Sequence, residues 1–131
     1  MSLARVFLGL NALIWLPYGV FCFAQPGSLA ETAGVLSTTP TGSTELRAMY
    51  GGLQAGIGAL TLAALLRADL VRPALLAVAF LCGGLGLARI SGAALDDGWS
   101  FYTGMGMGFE FAALAIASWL LRREPAALRA A

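Results

Sequence analysis

The chain has 131 residues, of which 59% are hydrophobic and only 11% charged, with a mean hydropathy of +0.80. An average soluble domain carries about 25% charged residues, so there is too little polar material here to surface a soluble fold, and the length suits one domain. Net charge is +1, all eight basic residues are Arg and His is absent. That excludes a basic patch for nucleic acid and a metal-ligand cluster, and no cofactor is expected.

The first apolar segment covers residues 6–24 and approaches the roughly 20 residues that a helix needs to cross about 30 Å of hydrocarbon. Within it Asn11, Trp15, Tyr18 and Cys22 recur at i, i+4, i+7 and i+11, on one helical face. Pro17 predicts a kink near Tyr18. A cleaved signal peptide is the competing reading, with cleavage before Gln25, but the apolar stretch exceeds the 7–15 residues typical of such a peptide. The expectation is a retained first span.

Residues 25–44 form a long connection rich in Ser, Thr, Gly and Pro, with a short interfacial helix expected within 29–36. Ser43 or Thr44 is the expected cap of the second helix. The second span, residues 46–66, puts Arg47, Tyr50, Gln54 and Thr61 on one face, continued by Gly51 and Gly58. Its opposite face is small (Gly52, Gly56, Ala59, Ala63), and Leu46, Leu53, Ile57 and Leu60 are expected between them, toward lipid.

A tight turn at 67–72 leads to the third span, residues 73–94, with Pro73 in its first turn and Cys82, Gly86, Arg89 and Ala93 in line. A second tight turn at 95–98 makes the third and fourth helices antiparallel neighbours. The fourth span, residues 99–121, aligns Thr103, Gly106, Glu110, Ala113 and Ala117. Its Gly104-x-x-x-Gly108 pattern, like Gly52-x-x-x-Gly56, permits close helix approach. In the fourth span the glycines also allow a hinge just outside Glu110. Trp99 and Trp119 lie near opposite ends of that span, as aromatic belt residues do. Cys22 and Cys82 differ in depth by roughly 10 Å and read as buried hydrophobes, not as a disulfide. The C-terminal tail reads as a frayed helix end.

The fold class that follows is all-α: an antiparallel four-helix bundle integral to a membrane. With four crossings, Arg5, Arg67, Arg72, Arg122, Arg123 and Arg129 lie on one side, whereas Glu31, Glu45, Asp96 and Asp97 lie on the other. The positive-inside rule then puts both termini in the cytoplasm.

Glu110 is the informative residue. A charge at the centre of a span costs about 3 kcal/mol on insertion scales and normally faces a partner or water. At about 1.5 Å per residue, Glu110, Gln54 and Tyr18 fall in one layer, with Arg89 one turn or so nearer the outside and Arg47 higher still. Two arrangements fit. One is an outward pocket with Arg47 and Arg89 at its mouth, Glu110 at its floor, and Tyr18, Tyr50 and Gln54 on its walls. The other is a structural Arg89–Glu110 pair holding adjacent helices together, with Tyr and Gln as hydrogen-bonding glue.

The element Glu45-Leu46-Arg47-Ala48-Met49-Tyr50-Gly51-Gly52 resembles the signature of a bacterial family of small four-helix membrane proteins catalogued as a domain of unknown function. Arg89, the Asp97-Gly98 turn and Glu110 are similar to that family's second half. The resemblance covers nearly the whole chain. It implies the four-span topology and a bacterial inner membrane as the expected location, directs attention to Glu45, Arg47, Tyr50, Arg89, Asp97 and Glu110, and supplies no activity.

Three functions are weighed on this basis. The first is an accessory or interaction component of a membrane complex, or a homo-oligomer in the lipid bilayer. The alternative is a binder or transporter of a lipid or other small ligand, anionic or zwitterionic, held around Arg47, Arg89 and Glu110. An enzyme ranks last, because no His, metal set or nucleophile–base spacing supports one.

Overall fold

Long apolar runs interrupted by Gly, Pro and charge are built into helices, and a computed structural model describes residues 2–123 of the chain. Arg129 and the C-terminal tail lie outside the described residues. The elements are α1 (Leu3–Ala24), α2 (Ser28–Ala33), α3 (Pro40–Leu66), α4 (Ala68–Asp96) and α5 (Phe101–Arg123). Among the described residues there is no strand. Four of the helices (α1, α3, α4 and α5) are long and apolar enough to cross a membrane.

Local chemistry sets most of the helix ends. The Ser2 hydroxyl accepts from the Arg5 N–H at the start of α1. The second span begins earlier than expected: Thr39 is its cap, accepting from the Gly42 N–H at 3.0 Å, with Pro40 in the first turn. Thr44, expected to cap, instead sits inside the helix and donates to the Pro40 carbonyl at 3.1 Å. Proline decides the matter, since its fixed φ suits the first helical position and it has no N–H to leave unpaired. The interfacial helix expected within 29–36 appears as α2 and ends at Gly34, whose φ of 68° is the left-handed conformation common just past helix ends.

A π-helical turn occupies Arg47–Gly52 within α3 and carries one residue more per turn than the α-helix around it. α4 opens with a 3₁₀ turn at Ala68–Leu70 and closes at Asp97, a non-glycine residue at φ 51°, with the Gly98 N–H reaching the Ala93 carbonyl at 3.1 Å.

The helices pack as two pairs, α1 with α3 and α4 with α5. In the first pair backbones touch through glycine. A methyl on Gly19 would stand 2.8 Å from the Ala55 Cα, one on Gly58 2.7 Å from the Leu16 Cα, and one on Gly51 2.8 Å from the Phe23 Cβ. The pairs join through a core that includes Ala4 and Leu8 of α1, Ala64 of α3, Leu75, Val78 and Cys82 of α4, and Ala117 and Leu120 of α5. Ile57 and Leu60, expected to meet lipid, pack against this core. The faces expected on α4 and α5 are inside, with Cys82, Gly86 and Ala93 buried together with Glu110, Ala113 and Ala117. Cys22 and Cys82 are buried and unbridged.

Most core residues lie toward one end of the bundle, where α1 begins, α3 ends, α4 begins and α5 ends. Five of the seven described arginines, Arg5, Arg67, Arg72, Arg122 and Arg123, gather at that same end. Arg72 donates to the Leu121 carbonyl at 3.0 Å, tying the start of α4 to the end of α5, and Arg67 pairs with Asp69 at 2.6 Å. The outer surface stays apolar, with Leu13 73% and Phe80 80% exposed.

Candidate functional site

Where the core thins, toward the other end, a cavity of about 740 Å³ opens between the two helix pairs. Its walls come from all four long helices: Ile14, Trp15 and Tyr18 of α1; Met49, Tyr50, Leu53 and Gln54 of α3; Leu81, Leu85 and Arg89 of α4; Tyr102, Met105, Gly106, Phe109 and Glu110 of α5. All three tyrosines of the chain line it. The volume falls within the 300–1,000 Å³ usual for small-molecule sites.

The polar centre is an ion pair. Arg89 Nε donates to Glu110 Oε1 at 3.1 Å and to Oε2 at 3.0 Å, and Nη2 donates to Oε1 at 2.6 Å. Glu110 is 3% exposed, whereas the Arg89 side chain keeps 29% of its surface open. Both carboxylate oxygens are thus held by one guanidinium, and Nη1 has no hydrogen-bond partner among the described residues. Gly106 makes the room: a methyl there would stand 2.9 Å from Arg89 Cζ. The guanidinium lies 6.0 Å from the centre of the Tyr102 ring, in the range of a cation–π contact.

The floor is fixed by aromatic packing and one relay. Trp15 meets Phe109 with ring centres 5.7 Å apart, which joins α1 to α5. Its Nε1 donates to Asn11 Oδ1 at 3.1 Å, and Asn11 Nδ2 donates to the Phe7 carbonyl at 3.0 Å, so these polar groups are satisfied. Gln54 is the exception. Its Oε1 is the one buried side-chain polar atom without a hydrogen-bond partner among the described residues, a condition that costs about 1–3 kcal/mol.

The structure brings together Tyr18, Tyr50, Gln54, Arg89 and Glu110, as depth and periodicity predict. It separates Arg47, Glu45 and Asp97 from them. Arg47, expected at the cavity mouth, donates Nη1 to the Phe23 carbonyl and lies 5.6 Å over the Phe23 ring. The π turn Arg47–Gly52 lies against α1, with Arg47 beside Phe23 while Tyr50 of the same turn lines the cavity. Glu45 is exposed on the first α-helical part of α3. Asp97 is exposed and ends α4 with its N–H on the Ala93 carbonyl. Tyr102 was outside the expected set although Tyr102, Gly106 and Glu110 form an i, i+4, i+8 stripe. Trp15 was read as one face of a span without its Phe109 partner. A second hollow of about 400 Å³, between Pro26 and Leu46, has no ionisable lining residue.

Fold and site together define a bundle of four membrane-length apolar helices with a largely apolar cavity, bordered by one ion pair, between its two halves. The chain belongs to the family described as "Domain of unknown function (DUF4345)", whose model matches residues 3–121. No curated protein and no solved structure matches it.

Proposed function

We propose that this is an integral protein of a bacterial inner membrane, with both termini in the cytoplasm, that binds a small lipid-soluble ligand in the cavity between its helix pairs. The membrane reading rests on the apolar outer surface and on the grouping of Arg5, Arg67, Arg72, Arg122 and Arg123 at one end, which the positive-inside rule assigns to the cytoplasm. Reporter fusions at the 25–39 connection and at either terminus test the orientation; a cytoplasmic connection overturns it.

The binding reading is carried by one observation, the convergence of an ion pair, three tyrosines and Gln54, whose amide oxygen is unpaired, on the lining of a 740 Å³ space. A structural pair needs no such space. Helix-to-helix glue is served by dry contact, as at Gly19 and Gly58, whereas here the pair borders the cavity. Mass spectrometry of lipids that co-purify with the protein provides the test, with the cavity-filling variant Leu53→Trp beside the wild type. A species retained by the wild type and lost from a folded variant is expected. Equal lipid content in both refutes the reading.

The interaction reading keeps an observation of its own. Gly52, Gly56, Gly104 and Gly108 point away from the bundle, and a methyl on Gly56, Gly104 or Gly108 meets nothing within 4 Å. Small residues at such spacing let a second helix approach closely, so self-association or an accessory role fits those faces. Mass measurement in nanodiscs tests it: a strict monomer at every protein density rules out self-association.

A further inference from the structure

The sequence points to an anionic or zwitterionic ligand, because two arginines were expected at the cavity; the geometry points elsewhere. Arg47 is taken up by Phe23. The charge of Arg89 is answered by both oxygens of Glu110. An anion entering beside Arg89 meets a carboxylate already in place, and Glu110, at 3% exposure, has no route to water by which to withdraw. A cation meets the guanidinium. Placing any charged head here also strips it of water in a mostly apolar space, which is unfavourable without a dedicated counter-charge.

The unused hydrogen-bonding capacity is specific. Among the described residues Gln54 Oε1 is an acceptor lacking a donor, tucked into the wall of the cavity that Gln54 lines, and Arg89 Nη1 is a donor lacking an acceptor. A hydroxyl group is both donor and acceptor and carries no charge. The sides of the cavity are apolar and reach the outer surface: Met49 is 54%, Leu53 48% and Met105 55% exposed. Those side chains offer a path for an alkyl chain to continue into the surrounding bilayer, not a path for a hydrated solute.

Taking these together, and resting on the binding reading above, we infer that the cavity selects an uncharged, hydroxyl-bearing membrane amphiphile of the long-chain alcohol or acylglycerol class. The hydroxyl oxygen accepts from Arg89 Nη1, its hydrogen is donated to Gln54 Oε1 once the Gln54 side chain turns that oxygen into the cavity, and the chain leaves between Met49, Leu53 and Met105. The Arg89–Glu110 pair stays intact throughout, serving as a neutral dipole that discriminates against ions of either sign.

The experiment uses Trp15 as reporter, since it lines the cavity while Trp99 and Trp119 are exposed and replaceable by Phe. The double variant Trp99→Phe, Trp119→Phe is placed in nanodiscs of neutral phospholipid. It is titrated with an octadecyl alcohol brominated at mid-chain, and separately with the matching carboxylic acid and amine, at a pH where both of those are ionised. Saturable quenching by the alcohol, reversed by unbrominated alcohol, is expected, with only linear quenching by the two ions. The Gln54 side chain makes no hydrogen bond among the described residues, so Gln54→Leu breaks none there; it should weaken half-saturation by the alcohol on the order of tenfold, the worth of one hydrogen bond. Saturable binding of the carboxylate or the amine at least as tight as the alcohol overturns the charge assignment while leaving a binding cavity. Alcohol binding unaffected by Gln54→Leu overturns the hydroxyl assignment. Absence of saturation by all three removes the cavity as a lipid site and this inference with it.

Discussion

Removing either partner of the Arg89–Glu110 pair is expected to destabilise the bundle, and by unequal amounts. Glu110 is 3% exposed and has Arg89 as its hydrogen-bond partner, while Arg89 keeps 29% of its side-chain surface open. Arg89→Met therefore strands a carboxylate that cannot reach water, the situation in which breaking a buried pair costs about 3–5 kcal/mol. Glu110→Gln strands a guanidinium that has a long flexible stem, a path outward and one amide oxygen still in place. Its cost falls toward the cost of an unsatisfied buried hydrogen bond, about 1–3 kcal/mol. The double variant Arg89→Met, Glu110→Met removes both charges and should recover most of the loss, since apolar replacements of similar volume are often neutral or stabilising. Reversible unfolding of the purified protein in mixed micelles, followed by circular dichroism, measures all three. With Glu110→Met added as the matching single variant the cycle closes, and the double variant should lose several kcal/mol less than the sum of Arg89→Met and Glu110→Met, as for residues in one network. If Glu110→Gln is the worse single change, or if the double variant is as unstable as Arg89→Met, the burial argument is wrong.

Other substitutions read separate parts of the structure by the same unfolding assay. Gly19→Ala and Gly58→Ala drive a methyl into backbone on the facing helix and should cost at the upper end of the 1–3 kcal/mol typical of overpacking. Gly56→Ala meets nothing and should change stability by less than about 0.5 kcal/mol; equal losses at the three sites would refute the packing assignment. Gly106→Ala should displace the Arg89 guanidinium, 2.9 Å from the added methyl, and lower stability by about 1–2 kcal/mol, with no further loss in an Arg89→Met background. Arg47→Ala should release the Phe23 carbonyl at a cost of about 1 kcal/mol and leave Trp15 quenching by the brominated alcohol unchanged. A large loss of binding would return Arg47 to the cavity.

Periodicity and helical rise are enough to place the four long helices, to bring Tyr18, Gln54 and Glu110 to one level, and to put Arg89 about one turn away, within reach of Glu110, because an apolar helix is a regular ruler. Where the ruler changes pitch, the reading fails. Arg47 and Tyr50 were placed on one face by counting 3.6 residues per turn, but the Arg47–Gly52 turn is wider, so Tyr50 reaches the cavity and Arg47 reaches Phe23. The start of α3 was missed for a different reason: hydropathy marks where apolar residues begin, whereas Thr39 and Pro40 begin the helix in a polar sequence. Tyr102 was legible in principle from its spacing to Gly106 and Glu110, but a tyrosine near a span end reads equally as an interfacial anchor. The unpaired oxygen of Gln54 has no sequence signature, since it depends on what the other three helices fail to supply.

The extra residue in α3 also describes an edit. One amino acid deleted between Arg47 and Gly52 would return the segment to an ordinary helix, and because a π turn takes up its extra residue locally, the helix on either side would keep its heading and its faces. The residues that change places lie within the turn, where Arg47 donates to the Phe23 carbonyl and Gly51 packs on Phe23. The Pro40 end and the Gln54 side would present what they present now. A one-codon deletion there is thus a local edit, spent on the grip of this turn on Phe23 and leaving the cavity floor unchanged.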